Sequence, residues 1–134
     1  MLPVATWDDV ARVGLALPGT TEAVSARGRR RWQVGGRTFL RDRPLHRRDL
    51  DELGTRAPSG PVLVASVPDE GAKAALLAAE PEIYFTTSHF DGWAAVLCRL
   101  DRLDEQSLTE LATEAWAARA PRRLVAAHLP GAHS

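Results

Sequence analysis

Cysteine is almost missing from this chain. The single Cys98 excludes an intramolecular disulfide framework and any CxxC metal or redox motif. It falls within an apolar strand pattern, which predicts a buried, inert thiol rather than a nucleophile. No apolar run approaches the roughly 20 residues that cross a bilayer. No basic region followed by an apolar block opens the chain, so a secretory signal is not expected and a cytoplasmic location is. Glycine-rich phosphate loops of the G-x-G-x-x-G or Walker type are also missing. The histidines at 46, 89, 128 and 133 lack the spacing of a zinc site. Neither a cofactor nor a metal is expected.

Lysine is scarce too. Of 17 basic residues 16 are arginine, with Lys73 the exception. GC-rich codon usage produces the same skew, so the preference alone says nothing of phosphate binding. Placement says more. Net charge is zero, yet the window Arg27–Arg48 holds nine arginines (27, 29, 30, 31, 37, 41, 43, 47, 48) and one acid, Asp42. That window carries +8 and leaves −8 for the rest of the chain.

The 134 residues suit one domain, 1–134, and at 45% hydrophobic they supply a core. Thr6 with Asp9 reads as a capping box for a helix from about Trp7 to Leu17, ended by Pro18-Gly19. Thr20 to Arg27 reads as polar and turn-like. Arg31 to Val34 alternates, Gly35-Gly36 signals a two-residue hairpin, and Thr38 to Leu40 resumes the ladder. Trp32 and Val34 then share one face, with Arg31 and Gln33 on the other. Pro44 to Pro61 reads as a long connection with a short helical turn at Asp49 to Leu53. Val62 to Val67 is a strand, rich in β-branched residues.

Asp69 caps an Ala-rich helix that stops at Glu80-Pro81. From Ile83 to Leu100 two strands are expected around a turn at Asp91-Gly92. Asp104 caps the last long helix, where Leu108, Leu111, Ala112, Ala115 and Trp116 form an apolar stripe. Pro121 ends or kinks it, Arg122 to His128 adds a turn or two, and the tail from Leu129 frays. The order α-β-β-β-α-β-β-α predicts a two-layer α+β domain: a mostly antiparallel five-stranded sheet with helices on one face. The other sheet face is left open or half-covered, and must be polar or meet a partner.

Ser88, His89 and Asp91 carry the letters of a catalytic triad. Neighbours on one short segment do not converge as a triad must, and hydrogen bonds within the turn account for them. No other constellation suggests enzyme chemistry. Binding does suggest itself. Arg29, Arg30, Arg31 and Arg37 fall on one hairpin, followed by Arg41, Arg43, Arg47 and Arg48, and Arg122 with Arg123 offers a second basic edge. Clustered arginines attract polyanions by long-range field and by bidentate phosphate contacts.

Five stretches, in order, resemble the MmcQ/YjbR family of small bacterial proteins. They are Trp7-Asp8-Asp9-Val10 through Leu17-Pro18-Gly19-Thr20, the hairpin Trp32 to Phe39, and Ala75 to Pro81. Next comes Phe85-Thr86-Thr87-Ser88-His89-Phe90-Asp91-Gly92-Trp93 with Val96-Leu97-x-Arg99-Leu100. The fifth is Ala115-Trp116-x-x-Arg119-Ala120-Pro121-Arg122-Arg123-Leu124. The resemblance implies a two-layer α+β fold similar to double-wing DNA-binding proteins and type III secretion chaperones. It implies DNA binding and supplies no catalytic residues; one namesake is linked to mitomycin resistance. Ser88 stands where family members often have proline, which is expected to loosen the turn.

Two functional readings emerge. In the first, a non-enzymatic protein contacts double-stranded DNA phosphates through Arg29, Arg30, Arg31, Arg37, Arg41, Arg47 and Arg48, with Arg122 and Arg123 alongside. In the second, a protein- or small-ligand-binding module uses the open sheet face as a dimer or partner surface. It would hold a ligand in a pocket of Trp32, Thr87, His89, Phe90, Asp91 and Trp93. Neither involves a membrane.

Overall fold

The computed structural model describes residues 4–128. Helix α1 (Trp7–Leu15) starts at the expected capping box, in which the Thr6 hydroxyl accepts from the Asp9 N–H and the Asp9 carboxylate accepts from the Thr6 N–H. Strands β1 (Thr20–Val24), β2 (Arg30–Val34) and β3 (Arg37–Asp42) form an antiparallel meander. Gly35 and Gly36 both have positive φ, 56° and 76°, which is what a two-residue turn matching the strand twist requires. Helix α2 (Arg47–Leu53) and a 3-10 turn (Gly54–Arg56) lead to β4 (Val62–Ser66). Helix α3 (Glu70–Ala79), β5 (Tyr84–Phe85), a 3-10 turn (Ser88–Phe90) and β6 (Ala95–Arg99) come next. The chain then forms α4 (Glu105–Arg119) and α5 (Arg122–His128).

The result is an α+β domain with one antiparallel sheet of order β1-β2-β3-β4-β6-β5. Among the described residues it has six strands rather than five, because Thr20–Val24 is an edge strand and not a turn. Its register explains the difference. Glu22 sits opposite Trp32, on the side where alternation calls for an apolar residue. The carboxylate is satisfied there, accepting from the Trp32 indole N–H at 2.8 Å and from Arg30 at 3.1 and 3.2 Å. The expected hairpin at Asp91-Gly92 is also different. β5 and β6 do pair, but a nine-residue excursion with its own 3-10 turn joins them. The expected frayed tail lies outside the described residues.

One face of the sheet packs on helices. Trp32, Val34, Leu40, Leu63, Ala65 and Val96 meet Val10 and Val13 of α1 and the stripe Leu108, Leu111, Ala112, Ala115 and Trp116 of α4. Ala72, Leu76 and Leu77 of α3 pack against the same core. Each large apolar side chain fully buried here contributes about 1.5–3 kcal/mol. Trp116 is also anchored by direction, its indole N–H donating to the Pro18 carbonyl at 2.9 Å. Cys98 is fully buried, and burial pushes its thiol well above the ordinary value.

The opposite face is only half covered. At the β4-β6-β5 end a second, smaller core joins Val62, Val64, Phe85, Phe90, Ala95 and Leu97, and Leu45 and Leu53 close over it. The remainder of this face, toward β2 and β3, carries Arg31, Gln33, Thr38 and Arg41. That boundary between covered and uncovered sheet positions the site.

Candidate nucleic-acid interface

Along this boundary run two adjoining recesses that share Arg41 and His89. The first, about 480 Å³, lies between Arg31, Thr38 and Arg41 on the sheet and His89, Phe90 and Trp93 on the β5–β6 connection. Arg119, at the end of α4, closes one side. Among the described residues no carboxylate lines it. The second, about 860 Å³, continues past Arg41 to His46, Arg47 and Arg48 of the α2 region. Asp49 and Asp51 are the acids there.

Asp49 is already committed. Its carboxylate accepts from the Arg43 guanidinium at 3.1 Å and from the His46 N–H at 2.9 Å, and both Arg43 and Asp49 are buried. Burial alone would raise the Asp49 carboxyl; the His46 N–H and Arg43 outweigh it and hold the carboxyl below its ordinary value. Arg43 also lies over the Phe90 ring at 5.0 Å. This pair pins α2 to the second core.

Arg41 is the reverse case. It is half-buried, and its side chain has no hydrogen bond or ion pair among the described residues. Burial first, then repulsion from Arg43 and Arg31, pulls its guanidinium below the ordinary value. A cation desolvated among cations raises the local positive potential, which an anion in the groove would relieve. Arg119 shares this character, lowered by burial and by Arg37, while it donates to the Ala94 carbonyl at 3.1 Å.

The arginines named from sequence therefore separate. Arg31, Arg41, Arg47 and Arg48 line the groove, and Arg37 stands exposed at the nearby hairpin turn. Arg29 pairs with Asp42 at 3.4 Å, and Arg30 is held by Glu22 and Asp8. Arg122 and Arg123 are exposed on α5 and are not part of the groove lining. Of the proposed pocket residues, His89, Phe90 and Trp93 come together, whereas Trp32 is fully buried in the helix-side core. Trp32 stacks on Trp7 at 6.3 Å beneath the Arg30 guanidinium, so it is a structural residue. Thr87 is buried and Asp91 exposed, and neither lines the groove.

Residues that sequence reasoning missed hold the β5–β6 connection in place. Lys73 is 4% exposed, and its ammonium donates to the Phe90 and Trp93 carbonyls. Glu52 accepts from the Ser88 N–H at 3.0 Å and from its hydroxyl at 2.6 Å. Serine at 88 thus ties the turn to α2, correcting the expectation that it loosens it; proline has no N–H to offer. In Lys73 the signal was present as the one lysine of an arginine-rich chain, in the middle of an Ala-rich helix.

The structure is thus an α+β domain with a cationic, aromatic-edged groove on the half-open face of its sheet. Residues 15–118 match the YjbR family, and the chain belongs to it. It is similar to Uncharacterized protein Rv2570 of Mycobacterium tuberculosis and to Uncharacterized protein Mb2600 of Mycobacterium bovis. Each is 46% identical over 129 residues, covering 94% of this chain and 97% of the relative. No solved structure matches. Among the described residues no helix is long and apolar enough to cross a membrane, and no group of three or more His, Cys, Asp or Glu side chains could hold a metal ion.

Proposed function

We propose that this protein binds nucleic acid, with Arg31, Arg41, Arg47, Arg48 and Arg119 holding the phosphate backbone along the groove. The observation that carries the reading is Arg41: half-buried, flanked by Arg31 and Arg43, and without a carboxylate partner among the described residues. Such a guanidinium favours an anion, and the row of arginines on either side favours a polyanion. The reading is of a binding protein rather than an enzyme, since the Ser88 hydroxyl engages Glu52 and His89 packs on aromatic rings. It also puts the protein in the cytoplasm, with nucleic acid.

The test is anisotropy titration of labelled mixed-sequence DNA across a salt series. Affinity should fall with salt at a log–log slope of about −0.9 for each duplex phosphate neutralised, or about −0.7 on a single strand. Exchanging Arg31 and Arg41 for glutamate should weaken binding and flatten the slope by about the share of two contacts. Exchanging Arg122 and Arg123 should change little. Undiminished binding by a folded R31E/R41E protein would refute the groove as the site.

A second reading has one observation in its favour. Phe39, Val64, Phe90 and Ala95 give the first recess apolar walls, and its size suits a small molecule. A small anionic ligand, or a dimer partner on this face, would show as binding or self-association without dependence on DNA length.

A further inference from the structure

Trp93 is 58% exposed, an unusual setting for the largest apolar side chain, and it stands on the lip of the cationic groove. It is not loosely held. His89 stacks against it, with ring centroids 6.4 Å apart and planes at 25°. Phe90 meets both rings edge-on, at 6.3 Å from Trp93 and 5.1 Å from His89. Phe90 itself is 1% exposed and rooted in the second core.

The backbone beneath is fixed at several points. Lys73 clasps the carbonyls of Phe90 and Trp93, at 2.7 and 3.1 Å, on the two sides of the turn at Gly92. Glu52 holds Ser88 one residue before His89. A flat aromatic surface is therefore presented in a set orientation, so little order remains to be imposed when something stacks on it.

We infer that the groove takes single-stranded nucleic acid in preference to duplex, with an unpaired base stacked on the Trp93–His89 platform. The inference rests on the nucleic-acid reading above and specifies its substrate. Base faces in a duplex are covered by their neighbours and have nothing to give an aromatic ring. An unpaired strand offers both a phosphate track and free base faces, and a basic groove lined with exposed aromatics matches that pair of features. Arg31 and Arg41 line the same recess as His89 and Trp93, so backbone and base would be met side by side.

The experiment compares a labelled mixed-sequence single strand with the duplex formed from it, using the full chain and its Trp93→Ala and Trp93→Phe variants. The parent should bind the single strand more tightly. Trp93→Ala should cost about tenfold on the single strand, since one stacking contact of this kind is worth about 1–3 kcal/mol. It should leave duplex affinity within about twofold, and Trp93→Phe should recover most of the loss. Duplex binding equal to or tighter than single-strand binding, or a Trp93→Ala variant that binds the single strand as the parent does, overturns the inference while leaving the phosphate groove standing. Absence of binding to either nucleic acid overturns both readings together. Trp93 is largely solvent-facing, so the variants should fold, which circular dichroism checks.

Discussion

The ammonium of Lys73 donates to the Phe90 carbonyl at 2.7 Å, inside the protein and, among the described residues, with no carboxylate in reach of a salt bridge. A buried cation is costly unless its donors are used, and here two backbone oxygens use them. The same contact joins α3 to the connection that displays His89 and Trp93. One side chain thus links the helix layer to the edge of the groove.

Replacing Lys73 with methionine keeps the stem and removes the donors. The Phe90 and Trp93 carbonyls are left without them, and stability should fall by about 1–3 kcal/mol. Urea unfolding measures this. Single-strand affinity should also fall, because the platform loses its anchor. Parent-like stability in the variant would show that the ammonium does not hold the connection.

Arg43 and Asp49 make a buried pair whose loss on one side should be severe. Asp49→Ala leaves a guanidinium buried without its partner, at a cost of about 3–5 kcal/mol. The pair also sets a pH dependence. The Asp49 carboxyl is held below its ordinary value of 3.8 in the folded protein, so on acidification the unfolded chain takes up the proton first. Its contribution is complete above that ordinary value and is lost as pH falls through the lower, folded one. Asp9 and Asp104, held low chiefly by the Thr6 and Ser107 N–H groups respectively, act in the same direction. Unfolding free energy should hardly change with pH on their account from neutrality to about pH 5, then fall. The gap between parent and Asp49→Asn should narrow in that acid range; a gap constant down to about pH 2 would argue against the pair as its source.

Much of the fold could be read from local chemistry. The caps at Thr6, Asp69 and Asp104, the Gly35-Gly36 turn and the α4 stripe each depend on residues close in sequence, and all stand where expected. The basic character of the hairpin and of the segment through Arg48 was also visible. The features that stayed hidden depend on distant partners. Glu22 disguises β1 because its partners are Arg30 and Trp32 on the next strand. Alternation with Arg31 and Gln33 put Trp32 on the core side, whereas Trp93 adjoins the apolar strand Ala95–Arg99 and is nonetheless exposed. Nothing within the second segment tells that its tryptophan is left uncovered. The arginine run likewise gives no sign that Asp42, Glu22 and Asp49 engage Arg29, Arg30 and Arg43.

Arg30 shows how this sorting matters for experiment. Its guanidinium is bonded twice to Glu22, reaches Asp8 at 3.3 Å and lies 5.4 Å from the Trp32 ring centroid. Without it, Glu22 keeps only the indole N–H while lying near Asp8. Arg30→Glu should therefore destabilise the fold by about 1–3 kcal/mol, through lost charged hydrogen bonds and new repulsion. Arg31, on the other face of the same strand, is exposed and has no such pairing among the described residues. Arg31→Glu should alter stability by no more than about 0.5 kcal/mol while weakening nucleic-acid binding. Reversing residues 29–31 together would mix the two effects, so single variants are compared, each by urea unfolding and by anisotropy at low salt. If Arg30→Glu weakens binding and leaves stability intact, the hairpin's core-side edge is the contact surface. If only Arg31→Glu does so, the groove is.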